Sequence, residues 1–272
     1  MNAPIFSLRL DQKLDGGHQH YLLEPKISAR RQSQIMKKIL TTIATTASLL
    51  TAASDAAVLA QYNFTGSSDA TSDADANSLA TSLGIGTLGT EFGALVTNHG
   101  FSTTTVVNSG SATASSPVRF VRNDFTAGVE ATAITNNDYF KFTLTPGATF
   151  QANLTSLFFD YSANGSGTLE NTASFFVRSS ADGFAANVGT TASATITGSA
   201  AADYQRQTID LSGAAFQNLT APIEFRVYVT NSGVGVARLD NLTLNGDIAA
   251  IPEPSSLAIL GSLGALALRR RR

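Results

Sequence analysis

The chain has 272 residues, enough for one large all-β domain or two smaller ones. Charged residues make up only 14%, against roughly 25% in an ordinary soluble domain, and the lack of Cys and Trp excludes disulfide staples, thiolate metal sites and a cysteine nucleophile. The formal net charge of -2 hides an uneven distribution: residues 57–248 carry seven Lys and Arg against fifteen Asp and Glu, and an acidic body of this kind repels phosphate and argues against nucleic acid as a partner.

Residues 1–35 have no sustained helical or strand period and precede a second methionine, and they read as a disordered extension from an over-called start. From Met36 the pattern changes. Lys37 and Lys38 form a positive n-region, Ile39 to Ala53 an apolar stretch, and Ser54-Asp55-Ala56 places small residues where a signal peptidase reads them. Residues 36–56 are therefore expected to be a signal peptide cut after Ala56, with Ala60 the alternative position. A buried core helix rarely begins Met-Lys-Lys and ends in small residues.

The body, residues 57–248, alternates apolar and polar positions with period two, as half-buried strands do. Strands are predicted in residues 57–64, 117–122, 140–145, 154–162, 173–180, 191–198, 206–213, 223–229 and 236–246. Pro146-Gly147, Asn164-Gly165, Asp182-Gly183 and Asn245-Gly246 are expected to be the turns between them. The one stretch with a trace of helical period is residues 77–83, around Leu79 and Leu83. About nine short strands imply an all-β, jelly-roll-like antiparallel β-sandwich.

The last predicted strand contains a conflict. Arg238 and Asp240 share parity with Leu242 and Leu244, so charges and core residues would face one side unless a bulge intervenes. Arg178, Arg226, Arg238 and Asp240 are read together as a structural ion-pair cluster, with a polar ligand site as the alternative.

Other motifs are weaker. Gly84, Gly86 and Gly89 fit a dinucleotide-loop spacing, but the acidic residue such a loop needs about 20 positions on is missing. Asp69, Asp73, Asp75 and Asn77 offer oxygen ligands for calcium, but Ser78 stands where an EF-hand turn needs Gly; a solvated acidic loop is the competing reading. Once residues 1–56 are removed His99 is the sole histidine, which leaves a serine triad one candidate base. Glu91, Asp160, Glu170 and Asp182 are the carboxylates from which a glycosidase pair would have to be drawn. No cofactor and no catalytic residue is expected. Polysaccharide binding is the functional alternative, with Tyr139, Tyr161, Tyr204 and Tyr228 as the aromatic faces available for stacking.

Residues 249–272 close the chain with Pro252-Glu253-Pro254, fourteen uncharged residues from Ser255 to Leu268, and Arg269, Arg270, Arg271 and Arg272. A helix over 255–268 would be about 21 Å long, short of the roughly 30 Å hydrocarbon core, with arginine snorkelling and local thinning covering the gap. The positive end would stay cytoplasmic and the acidic body outside, in agreement with the signal peptide. These residues resemble the PEP-CTERM sorting signal of Gram-negative bacteria that make extracellular polysaccharide. That resemblance implies processing by an exosortase, an inner-membrane precursor, and delivery to the cell surface or matrix. More loosely, residues 153–246 are similar to the β-sandwich ectodomains that accompany such signals, which implies a jelly-roll fold and no established activity. The leading expectation is thus an exported, non-enzymatic structural or adhesive β-sandwich. A glycan-binding module comes second and an enzyme acting on polysaccharide third.

Overall fold

A computed structural model describes residues 57–72, 75–86, 99–103, 105–121, 129–165, 167–198, 200–232 and 235–251, with backbone alone at residues 99 and 100. The proposed signal peptide, the sorting residues Pro252, Glu253, Pro254 and Arg269 to Arg272, and the proposed membrane helix all lie outside these residues. Among the described residues, no helix is long and apolar enough to cross a membrane.

Among the described residues twelve strands form two six-stranded antiparallel sheets. The first contains β1 (Ala57–Tyr62), β4 (His99–Ser102), β5 (Val118–Val121), β7 (Phe150–Gly165), β10 (Gln205–Asp210) and β12 (Gly235–Ala250), in the order β10-β7-β12-β5-β4 with β1 also beside β12. The second contains β2 (Ser78–Ala80), β3 (Gly84–Ile85), β6 (Tyr139–Pro146), β8 (Glu170–Ser179), β9 (Ala192–Thr197) and β11 (Ile223–Asn231), in the order β2-β6-β11-β8-β9 with β3 also on β6. From β6 onward the chain changes sheet at every step except β8 to β9, so most cross-strand partners are distant in sequence.

All nine predicted strands are present because alternation reports which side chains can share a dry face. Phe142 and Leu144 on β6, Leu157 and Phe159 on β7, Phe175 and Val177 on β8, and Phe225 and Val227 on β11 all enter one core. Burying each such side chain contributes about 1.5–3 kcal/mol. Through the middle runs a row of rings: Tyr62 against Phe142 at 5.3 Å, Phe142 against Phe225 at 5.5 Å, and Phe225 against Phe216 at 6.0 Å. Strands β2, β3 and β4 were not expected; at two to four residues they are too short to display a period.

Three expectations about local structure need correction. Residues 77–83 are not helical: Ser78–Ala80 is strand β2, paired with β6 through Leu79 and Thr145. The described helix is instead α1 (Glu130–Asn136), seven residues ended by Asn137 in the left-handed conformation at φ 56°. So short a helix shows little sequence period, and it is held by packing Ala133 against Tyr139, Phe176 and Tyr228. Finally, Asn164-Gly165 and Asn245-Gly246 are not turns but lie within β7 and β12. Gly246 sits at a register shift, where an added Cβ would come within 2.5 Å of the Asn153 carbonyl and 2.9 Å of Leu59. Close backbone approach, rather than turning, is what requires glycine there.

Candidate functional site

The parity conflict on β12 is resolved by a bulge. Asp240 lies opposite Asp160 on β7, yet Thr243 lies opposite Phe158, so Asn241 and Leu242 together face Phe159. Asn241 takes the left-handed conformation at φ 49°, which Asn tolerates better than most residues. The extra residue switches faces: Ala237, Leu239, Leu242 and Leu244 all enter the core, while Arg238 and Asp240 stay on the outer face of the first sheet. On its other edge β12 changes partner at the same place, pairing with β5 through Ala237 to Leu239 and with β1 through Leu242 to Gly246.

That outer face is nonetheless dry. Residues 105–117 cross it, fixed by backbone bonds between Tyr204 and Val107 (2.8 Å) and between Ser109 and Tyr204 (2.8 Å). Ala112, Ala114, Val118 and Tyr204 form a small apolar cluster over the sheet. Beneath it Asp160 is fully buried and saturated. Its Oδ1 accepts from Arg206 Nε at 2.7 Å; its Oδ2 accepts from Arg206 Nη2 at 2.9 Å, from the Thr113 N–H at 2.8 Å and from Asn241 Nδ2 at 3.0 Å. Arg206 also lies over the Phe158 ring at 4.2 Å.

Asp240 is placed differently. Its Oδ2 accepts from the Ser115 N–H at 2.7 Å, but among the described residues neither its buried Oδ1 nor Arg238 Nε has a hydrogen-bond partner. Burial, with the Asp160 charge adding to it, pushes the Asp240 carboxyl up to about 7 against the opposing hydrogen bonds from Ser115 and Asn241. Burial also raises the Tyr204 phenol, only partly offset by the neighbouring Arg238 guanidinium. The result is a closed polar node: it ties a cover strip to two strands, and the residues crossing it separate its carboxylates from solvent.

The four residues read as one ion-pair cluster therefore fall into two groups on different sheets. Arg238 and Asp240 belong to this node. Arg178 and Arg226 are cross-strand neighbours on β8 and β11, with Lys141 of β6 next in the row. Arg226 donates through Nε to Glu224 Oε1 at 2.7 Å and stacks on Phe184 at 3.6 Å and Tyr139 at 4.7 Å. Arg178 donates to Asn187 Oδ1 at 3.1 Å and to the Phe184 carbonyl at 2.8 Å. Parity along a single strand cannot report which sheet another strand will join, so the sequence grouped them by charge alone.

The remaining candidates are also placed. Asp69 pairs with Arg119 at 3.0 Å, and Arg119 in turn lies over Phe101 at 4.5 Å. Desolvation lowers the pKa of Arg119, with Asp69 working in the opposite direction. Asp75 accepts from the N–H of Asn77 at 2.7 Å, and Asp73 lies outside the described residues. Among the described residues no three His, Cys, Asp or Glu side chains gather as a metal site. Gly84 belongs to β3, antiparallel to β6, Gly86 packs where a Cβ would meet the Asn137 carbonyl, and Gly89 lies outside the described residues. His99 is on β4, paired with Val121. Asp182 accepts from the N–H groups of Ala185 and Ala186, and Glu170 opens β8. Glu91 lies outside the described residues. Tyr139, Tyr161, Tyr204 and Tyr228 are all buried, so none offers a ring face to solvent. Sequence reasoning missed Arg206, Thr113 and Asn241; of these only Asn241 had a signal, the parity conflict beside it.

No family model matches the chain, and no curated protein matches it. Solved structures that resemble it include TmCBM61 in complex with β-1,4-galactotriose, at 8% identity, covering 68% of this chain and 95% of that one with a TM-score of 0.30. The K3 cleaved adhesin domain of Lys-gingipain from Porphyromonas gingivalis matches at 11% identity, 69% and 98% coverage and a TM-score of 0.34. CBM28, a carbohydrate-binding module specific for non-crystalline cellulose, matches at 11% identity, 49% and 77% coverage and 0.28. Identities and scores this low carry no argument about ligand or family.

Proposed function

We propose that this chain is an exported, non-enzymatic β-sandwich of jelly-roll type that serves a structural or adhesive role at the cell surface or in its matrix. Residues 36–56 would direct export through signal peptidase, and residues 249–272 would hold the precursor in the inner membrane until an exosortase releases the body. One observation supports the scaffold reading above the others. Two of the candidate carboxylates for acid–base work are committed to structure: Asp160 to Arg206, Thr113 and Asn241, and Asp182 to the backbone of the loop that follows it.

Cell fractionation of the native host, followed by mass mapping of the mature termini, tests the proposal. The expected product begins near Ala57 and lacks Arg272. Full-length protein in the cytoplasm, intact at both ends, would overturn it.

A second reading, glycan binding, draws on one feature of the second sheet. Lys141, Arg226 and Arg178 lie side by side across three strands, with Phe184 against Arg226, on a body that is otherwise acidic. A glycan array that includes uronic-acid polymers, run with Lys141→Ala as the comparison, separates the two readings. Binding that weakens several-fold in the variant favours this second one.

A further inference from the structure

The edges of the two sheets are not equally protected. Sheet edges invite pairing with another chain, and proteins blunt them with short strands, bulges, charges or covering segments. Here β2, β3 and β4 are short at three, two and four residues. Strand β1 has a register shift between Val58 and Ala60 and is bridged through Gln61 to Ser72. Strand β10 carries Arg206 and Asp210 and is approached by Asn108, which bridges to Tyr204. Among the described residues strand β9 has none of these devices: its six residues read ASATIT, and the surrounding run from 183 to 202 contains no charged residue.

The backbone of β9 is oriented for pairing. Gly198 donates to the Leu169 carbonyl at 3.4 Å, and the register continues through Ile196 opposite Asn171, Ala194 opposite Ala173 and Ala192 opposite Phe175. Antiparallel ladders alternate, so Ser193, Thr195 and Thr197 turn their N–H and C=O groups away from β8. Their side chains are exposed, while Ala192 and Ala194 are in the core. Thr195 and Ser193 hydroxyls already continue a ladder from Thr172 and Ser174, both at 2.8 Å.

We propose that β9 pairs antiparallel with β9 of a second copy of this chain about a twofold axis at Thr195, joining the two second sheets into one. Charge selects this partner. Over most of the body two acidic copies repel, whereas this edge is neutral and self-complementary, as a twofold contact requires. A six-residue strand pair buries less than the roughly 1,000 Å² of a stable interface, so the contact is weak alone and forms where copies are crowded. The inference rests on the sheet edge and is independent of the export route.

The full chain has no cysteine, so single introduced thiols report the contact cleanly. Hydrogen-bonded antiparallel pairs bring Cα atoms to about 5.5 Å, within disulfide range. Under mild oxidation Thr195→Cys should form a disulfide-linked dimer at least tenfold more readily than Ala185→Cys, an exposed site elsewhere. Ser193→Cys mixed with Thr197→Cys should cross-link, and Ser193→Cys alone should not. Adding Thr195→Lys to that mixture should reduce its yield several-fold with an unchanged melting temperature. Equal yields at Thr195→Cys and Ala185→Cys, or a mixture indifferent to the lysine, would overturn the proposal.

Discussion

Part of each outer face of this sandwich is covered, and the two covers use opposite kinds of chemistry. Over the first sheet, residues 105–117 are held by a buried carboxylate, Asp160, that collects a guanidinium, a backbone N–H and an amide. Over the second, α1 lies on three rings: Phe176 stacks on Tyr228 at 4.9 Å, and Tyr139 meets Tyr228 edge-on at 5.1 Å. A polar seal is directional and fails when one partner is removed, because the other charge is stranded. An aromatic seal is spread over area and fails in proportion to what is cut away.

That contrast can be broken most forcefully at Asp160. Asp160→Ala should lower stability by about 3–5 kcal/mol by leaving Arg206 without its carboxylate, read as a fall in the denaturation midpoint. The double variant Asp160→Ala with Arg206→Met should recover part of that loss; if it recovers none, the seal is not governed by the ion pair. On the aromatic side, Phe176→Ala should cost about 3 kcal/mol, and Phe176→Leu clearly less, since area rather than geometry is removed there.

A finer test uses pH. Folded Asp240 titrates near 7 rather than its ordinary 3.8, so between those values the folded state keeps a proton that the unfolded chain has released. The contribution of Asp240 is then fully present below about pH 4, is lost by a few kcal/mol at most as pH rises toward 7, and changes no further above it. Asp240→Asn should flatten that slope. If the slope survives in the variant, Asp240 is not its source. The smallest effect is expected at the end of α1: Asn137→Ala, forced into a left-handed conformation, should cost about 1 kcal/mol, while Asn137→Gly should be near neutral.

Legibility differed between the regions in the same way. The alternation of residues 223–229 puts Tyr228 on the same side as Glu224 and Arg226, and it does point outward; but α1 covers it, leaving it only 2% exposed. Nothing local could signal this, since the helix that covers it lies some ninety residues earlier in the chain. Asp160 lies on an outward position of β7, and its burial depends on Thr113 and Tyr204, distant in sequence. The bulge at Asn241 was different. Two incompatible parities on one strand were visible before any partner was known, and a bulge or an ion pair near the sheet end could have reconciled them; the structure uses the bulge.

By itself the sequence determined where the nine longer strands run, many of the side chains that turn inward, and that β12 carries two conflicting parities, because a pleated backbone sends successive side chains to opposite faces whatever lies beyond them. Only the tertiary structure decided which strands are neighbours, that Arg226 and Arg238 belong to different sheets, that part of each outer face is covered, and that β9 has a strand on one side only among the described residues. Those outcomes depend on pairings between residues far apart in the chain, and such pairings are chosen by the packing of the whole sandwich rather than by any local pattern.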